Sequence, residues 1–126
     1  MEKLVEIGIL FDFYGRLLSK RQYLAVEFYY VHDLTLGEIG EELDITRQGV
    51  FDTLKRAEQK LYKYETELGL VKKFYDSHES LEEIIMISNE IMDLANKYDV
   101  DEIYNRSLRV KEIGKKILNK NREVME

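Results

Sequence analysis

The stretch Thr35–Leu61, TLGEIGEELDITRQGVFDTLKRAEQKL, decides how this chain is read. Thr35 followed three residues later by Glu38 is a capping box, so a helix is expected to open there and run to about Leu43. Asp44 tolerates the left-handed backbone of a turn, though less readily than glycine. A longer helix is then expected from near Thr46, with Val50, Leu54, Ala57 and Leu61 along one side. Ile39 and Leu43 would face it from the short helix, Gly40 would keep the crossing close, and Ile45 would plug the turn. A short helix, a three-residue turn and a longer helix make a helix-turn-helix, the arrangement that holds one helix in the DNA major groove.

With those apolar residues inside, the second helix shows Thr46, Arg47, Gln48, Phe51, Asp52 and Lys55 at its start. Arginine pairs bidentately with guanine and glutamine with adenine, threonine reaches phosphate or bases, and the helix N-terminus attracts phosphate. Thr46, Arg47, Gln48, Phe51 and Lys55 are therefore the expected nucleic-acid-binding residues. Asp52 works against them, because it repels the phosphate backbone. Charge is thin here as well: Asp33 to Asp44 holds five acids and no base, and Arg47 to Lys60 holds four bases against two acids. Two to four phosphate contacts, roughly, is what this module could make, so weak and strongly salt-sensitive binding is expected. The competing reading is a helix-turn-helix reused as packing, its second helix docked on protein.

Working outward, Leu4, Ile7, Leu10, Phe11, Tyr14 and Leu18 recur at helical spacing and predict a helix from residue 3 to about 15. Ser19 with Gln22 is a second capping box, opening a helix to about Val31 that His-Asp-Leu then breaks. From about Leu68, ELGLVKKFYDSHES holds a glycine and a loop-like DSHES, and Ser80 with Glu83 is expected to cap a helix carrying Leu81, Ile84, Ile85, Ile91, Met92, Ala95 and Tyr98. After YDVD a last helix sets Ile103, Val110, Ile117 and Val124 seven residues apart, with Ile113 alongside. The expected fold is all-α: a domain over 1–68 holding the helix-turn-helix at about 35–62, then a long helical pair over 69–126 that serves as a dimerisation or packing arm.

The two C-terminal helices carry opposite charge. Residues 76–102 hold nine acids and one lysine, whereas 106–122 hold seven bases and one glutamate. Either the pair attract each other, within a chain or across a dimer, or the basic helix serves RNA or another anionic surface, with Arg109, Lys115 and Lys116 as a secondary basic face. The rings of Phe11, Phe13, Tyr14, Tyr23, Phe28, Tyr29 and Tyr30 crowd the first two helices. They are expected mostly in the core, with some facing outward as an interaction surface, because two short helices cannot bury them all.

Composition narrows the chemistry. In 126 residues there is no cysteine, proline or tryptophan, 35% are charged and the net charge is −6, which fits a helix-rich chain and removes thiolate chemistry and disulfides. His32 and His78 are expected in loops without helical His, Asp or Glu partners, so neither a metal nor another cofactor is expected. No nucleophile elbow or phosphate loop is present, so no catalytic residue is assigned and the chain is expected not to be an enzyme. The N-terminal MEKLVEIGILFDFYG lacks the pattern of a signal peptide, and no apolar run reaches the roughly 18 residues of a membrane span, so a cytoplasmic protein without membrane attachment is expected.

TLGEIGEELDITRQGVFDTLKRAEQKL resembles the helix-turn-helix of sigma-factor region 4, and the longer LLSKRQYLAVEFYYVHDLTLGEIGEELDITRQGVFDTLKRAEQKLYKYE is similar to YlxM-type proteins, small sigma-region-4-like helical proteins of Gram-positive bacteria and their relatives. The resemblance implies an all-α, dimeric, regulatory protein of the signal recognition particle pathway, contacting DNA or the particle's RNA. Asp44 stands where sigma-like turns often hold glycine, and Phe51 and Asp52 where they often hold polar or basic groups. The alternative kept beside it is a protein-protein adaptor for the particle's GTPase or RNA polymerase.

Overall fold

A computed structural model describes residues 2–125, with side chains described as far as 121. Among the described residues there are six α-helices and no strand: α1 Lys3–Tyr14, α2 Lys20–Val26, α3 Leu36–Leu43, α4 Arg47–Leu68, α5 Leu70–Lys97 and α6 Asp101–Met125. A 3₁₀ turn at Gly15–Leu17 joins α1 to α2, and a π turn at Glu27–Val31 extends α2. The chain divides into two compact units, residues 1–71 and 72–126.

In the first unit α4 packs against α1, α2 and α3. Its core holds residues that helical spacing picks out, Ile7, Leu10, Phe11 and Tyr14 of α1, Ile39 of α3, and Val50, Leu54, Ala57 and Leu61 of α4, together with Ala25 and Val26 of α2. Leu18 is also buried, just past the 3₁₀ turn, whereas Leu4 at the start of the α1 stripe is exposed. Both capping boxes form. Ser19 Oγ accepts from the Gln22 N–H while Gln22 accepts from the Ser19 N–H, and Thr35 and Glu38 do the same at α3. The π turn is unannounced by the pattern: the His32 N–H reaches the Glu27 carbonyl at 3.1 Å, widening the helix by one residue before Asp33, at φ 57°, ends it.

A partly buried network joins the ends of this unit. The Tyr14 hydroxyl donates to Glu65 Oε1, the Leu70 N–H donates to the Tyr14 oxygen at 3.0 Å, and the Val71 N–H donates to Glu65 at 3.0 Å. The first N–H groups of α5, which no helical carbonyl can satisfy, thus find their acceptors on α1 and α4. Tyr14→Phe should cost about 1 kcal/mol in denaturant unfolding, because a partly buried donor and acceptor lose their partner while ring packing is kept.

The second unit departs from the reading of the sequence in two places. Ser80 caps nothing: α5 runs without a break from Leu70 to Lys97, and the boundary is Gly69, at φ 62°. Asp76-Ser77-His78-Glu79-Ser80 contains no glycine or proline, and His78 bonds Glu82 one turn on at 2.9 Å, so the stretch supports helix although its composition resembles a loop. The second departure concerns the seven-residue stripe. Ile103, Val110 and Ile117 are exposed, as is Ile113, while Val124 lies outside the described side chains. The helices of this hairpin meet instead through the neighbouring positions, with Ser88, Met92 and Ala95 buried on α5 and Ser107 and Gly114 on α6. A Cβ at Gly114 would stand 3.1 Å from Ile85 Cγ1, which is how closely they approach. Tyr98-Asp99-Val100, with Asp99 at φ 56°, makes the turn expected at YDVD.

Candidate nucleic-acid interface

The helix-turn-helix forms around one backbone contact. Asp44 takes the left-handed conformation, φ 57° and ψ 47°, and the Ile45 N–H donates to the Gly40 carbonyl at 3.0 Å. A Cβ at Gly40 would lie 2.7 Å from the Ile45 carbonyl oxygen. Only glycine lets the turn fold back on α3 this closely. Ile45 and Leu43 are half-buried against the core, as the reading of the turn requires.

α4 then begins at Thr46, whose hydroxyl accepts from the Gly49 N–H at 2.9 Å. Its oxygen is thereby committed to the cap, and its hydroxyl hydrogen is what it can still offer a phosphate. The other four candidate residues are exposed but fall into two rows. Arg47, Phe51 and Lys55 follow one another at four-residue steps: the Arg47 stem runs beside Gly37 in the first turn of α3, and the Lys55 ammonium lies 5.9 Å from the centre of the Phe51 ring. Gln48 belongs to the next row, where its amide donates to Asp52 Oδ1 at 3.1 Å. Asp52 therefore occupies the amide that would read adenine. Reasoning from the sequence passes over Arg56, which shares a shallow groove with Asp52, Lys55 and Gln59. Its place one turn beyond Asp52 is the signal that would have found it.

Arg109, Lys115 and Lys116 are exposed on α6. Arg109 and Lys116, seven residues apart, share a row, and Lys115 sits one step round the helix. Of the histidines, His32 is exposed beside the π turn as expected, whereas His78 stands within α5, paired with Glu82 and stacked on Phe74. That pair is not a metal set; among the described residues no group of three or more His, Asp or Glu could hold a metal ion. Nor is any described helix long and apolar enough to cross a membrane.

A capped short helix, a left-handed turn against Gly40 and a long helix with its first turns exposed define a helix-turn-helix protein. The chain belongs to the UPF0122 family, whose model, described as "Putative helix-turn-helix protein, YlxM / p13 like", matches residues 1–103. It is 44% identical to a UPF0122 protein of Desulforamulus reducens over 98% of this chain and 100% of that relative. It is 54% identical to one from Caldanaerobacter subterraneus subsp. tengcongensis, over 60% of this chain and 65% of the relative. With a Listeria monocytogenes UPF0122 protein it shares 48% identity over 58% of this chain and 66% of the relative.

Proposed function

We propose that this chain is a non-enzymatic, cytoplasmic helix-turn-helix protein that binds nucleic acid as a homodimer and serves the signal recognition particle pathway, with no cofactor. The observation that carries the binding is the exposed row Arg47, Phe51 and Lys55 at the start of a helix whose backbone is fixed by Gly40 and the Thr46 cap. Thr46 and Gln48 flank that row, and Arg109, Lys115 and Lys116 supply a second basic face on α6. The pathway rests on the resemblance to YlxM-type proteins, with the particle's RNA as the first ligand to test and duplex DNA as the second.

What supports the dimer is the apolar back of the hairpin. Ile84, Ile87, Ile91, Leu94 and Tyr98 on α5 and Ile103, Val110, Ile113 and Ile117 on α6 recur at coiled-coil spacing and are all exposed. Both stripes precede the buried stripe of their helix by one residue, which in an antiparallel pair turns them to the same side, and Ile84 and Ile117 line one groove there. Nine large side chains about half exposed offer on the order of 800 Å², what each partner gives a standard interface and more than a monomer leaves bare. A second copy is the partner that fits, because a two-fold axis parallel to the helices would set the acidic α5 of one hairpin against the basic α6 of the other.

Titration of labelled particle RNA and of duplex DNA at two salt concentrations tests the binding. Two to four phosphate contacts per chain, doubled in a homodimer, predict an affinity loss of about 150- to 20,000-fold between 50 and 200 mM salt. Absence of binding to either at the lower salt would transfer the motif to the adaptor role, with the pathway's GTPase or RNA polymerase as its partner.

A further inference from the structure

A cleft of about 330 Å³ opens beside the candidate interface, lined by Lys3, Tyr29, Tyr30, Leu36, Phe51, Leu54, Lys55 and Glu58. It lies at the small end of ligand-binding clefts, suited to one ring system. The π turn builds one wall: it presents Tyr29 and Tyr30 together, their rings edge to face with centres 5.0 Å apart, so that Tyr30 braces the exposed Tyr29 ring. Phe51, also exposed, forms the facing side on α4. Short π segments recur at functional sites, and while Phe28 and Tyr30 of this one pack against the core, Tyr29 stays exposed.

The one carboxylate in the cleft is already engaged. Lys3 Nζ lies 2.7 Å from Glu58, and the Tyr30 hydroxyl hydrogen-bonds the same group. Burial, with Glu58 alongside, pushes the Tyr30 phenol well up, so it stays protonated and donating at neutral pH. With Glu58 paired to Lys3, the cleft offers the exposed rings of Tyr29 and Phe51, apolar walls from Leu36 and Leu54, and the Lys55 ammonium beside Phe51. Flat π-systems attached to an anionic backbone are what such a lining recognises, and single bases become available in unpaired positions of RNA.

We propose that this cleft receives one unpaired nucleobase, between Tyr29 and Phe51, of a nucleic acid whose backbone follows the Arg47–Lys55 row. The proposal rests on the nucleic-acid reading of that row and names its ligand class: structured RNA with a bulged or looped base. It also gives Phe51, ill suited to a major groove, a stacking role, and it adds Tyr29 and Lys3 to the site.

The test uses the full chain with two RNA hairpins that differ by one unpaired 2-aminopurine in the stem. The bulged hairpin should bind about tenfold more tightly, the range that base–aromatic stacking supplies, with the 2-aminopurine emission quenched on binding. Tyr29→Leu should abolish that preference and the quenching while leaving the fully paired hairpin bound within about twofold. Equal binding of both hairpins overturns the proposal and leaves the wider reading standing; binding of neither removes both. Saturation of the cleft by N-acetyltryptophanamide, detected as tyrosine shifts in NMR without response to the bulge, would assign it to a partner's aromatic side chain and overturn the proposal equally.

Discussion

Gly40→Ala should lower the stability of the N-terminal unit by about 2 kcal/mol, although alanine is the better helix former by roughly 0.8–1 kcal/mol. The added methyl would stand 2.7 Å from the Ile45 carbonyl oxygen, and that atom is backbone, held by the turn through Asp44 and by the cap at Thr46. No rotamer change relieves the contact, so α3 and α4 must part, and forcing them apart belongs near the upper end of the roughly 1–3 kcal/mol that overpacking costs. For a unit of this size the loss corresponds to a fall of about 8–16 °C in Tm. Gly8→Ala is the matched control. Nothing lies within 4 Å of a Cβ there, so the substitution should stabilise α1 by up to about 1 kcal/mol. Two thermal melts read the contrast, and a neutral Gly40→Ala would show that the turn is not packed as described.

The apolar back of the hairpin carries the other large effect. Light scattering should give wild type twice the 15.0 kDa chain mass at tens of micromolar, and Ile87→Glu combined with Ile113→Glu should return it to 15.0 kDa. Both side chains are exposed in the single chain, 43% and 48%, so the glutamates leave the hairpin's own packing intact. In a dimer each would be buried without a partner, at a cost of several kcal/mol per carboxylate, so dissociation should strengthen at least about a thousandfold. A wild-type mass of 15.0 kDa would refute the homodimer.

Local signals carried most of the fold. The capping boxes at Ser19 and Thr35 mark helix starts because each is satisfied within four residues, and the α4 stripe Val50-Leu54-Ala57-Leu61 is buried as its spacing implies. Ser80-x-x-Glu83 has the same letters and is no cap, since a capping box inside a helix is only a serine and a glutamate one turn apart. The hairpin misled for another reason. Each helix bears two neighbouring apolar stripes, and the one with the regular isoleucine spacing is left open, while Ser88, Ala95, Ser107 and Gly114 on the other let the helices approach. The cleft was illegible altogether, because Lys3, Tyr29 and Phe51 come from three distant segments and a π turn that no periodicity announces. For the candidate row, exposure was readable from spacing; the capture of Gln48 by Asp52 depends on rotamers that spacing does not specify.

Whether α4 contacts nucleic acid is read by the salt-dependent affinity of Arg47→Ala combined with Lys55→Ala for the best-bound nucleic acid. Both side chains are exposed, so the fold should be kept. Affinity should fall at least about tenfold, and the slope of log affinity against log salt should drop by about four for the dimer, one for each lost phosphate partner. An affinity and a slope equal to wild type would contradict the assignment of this helix to nucleic acid.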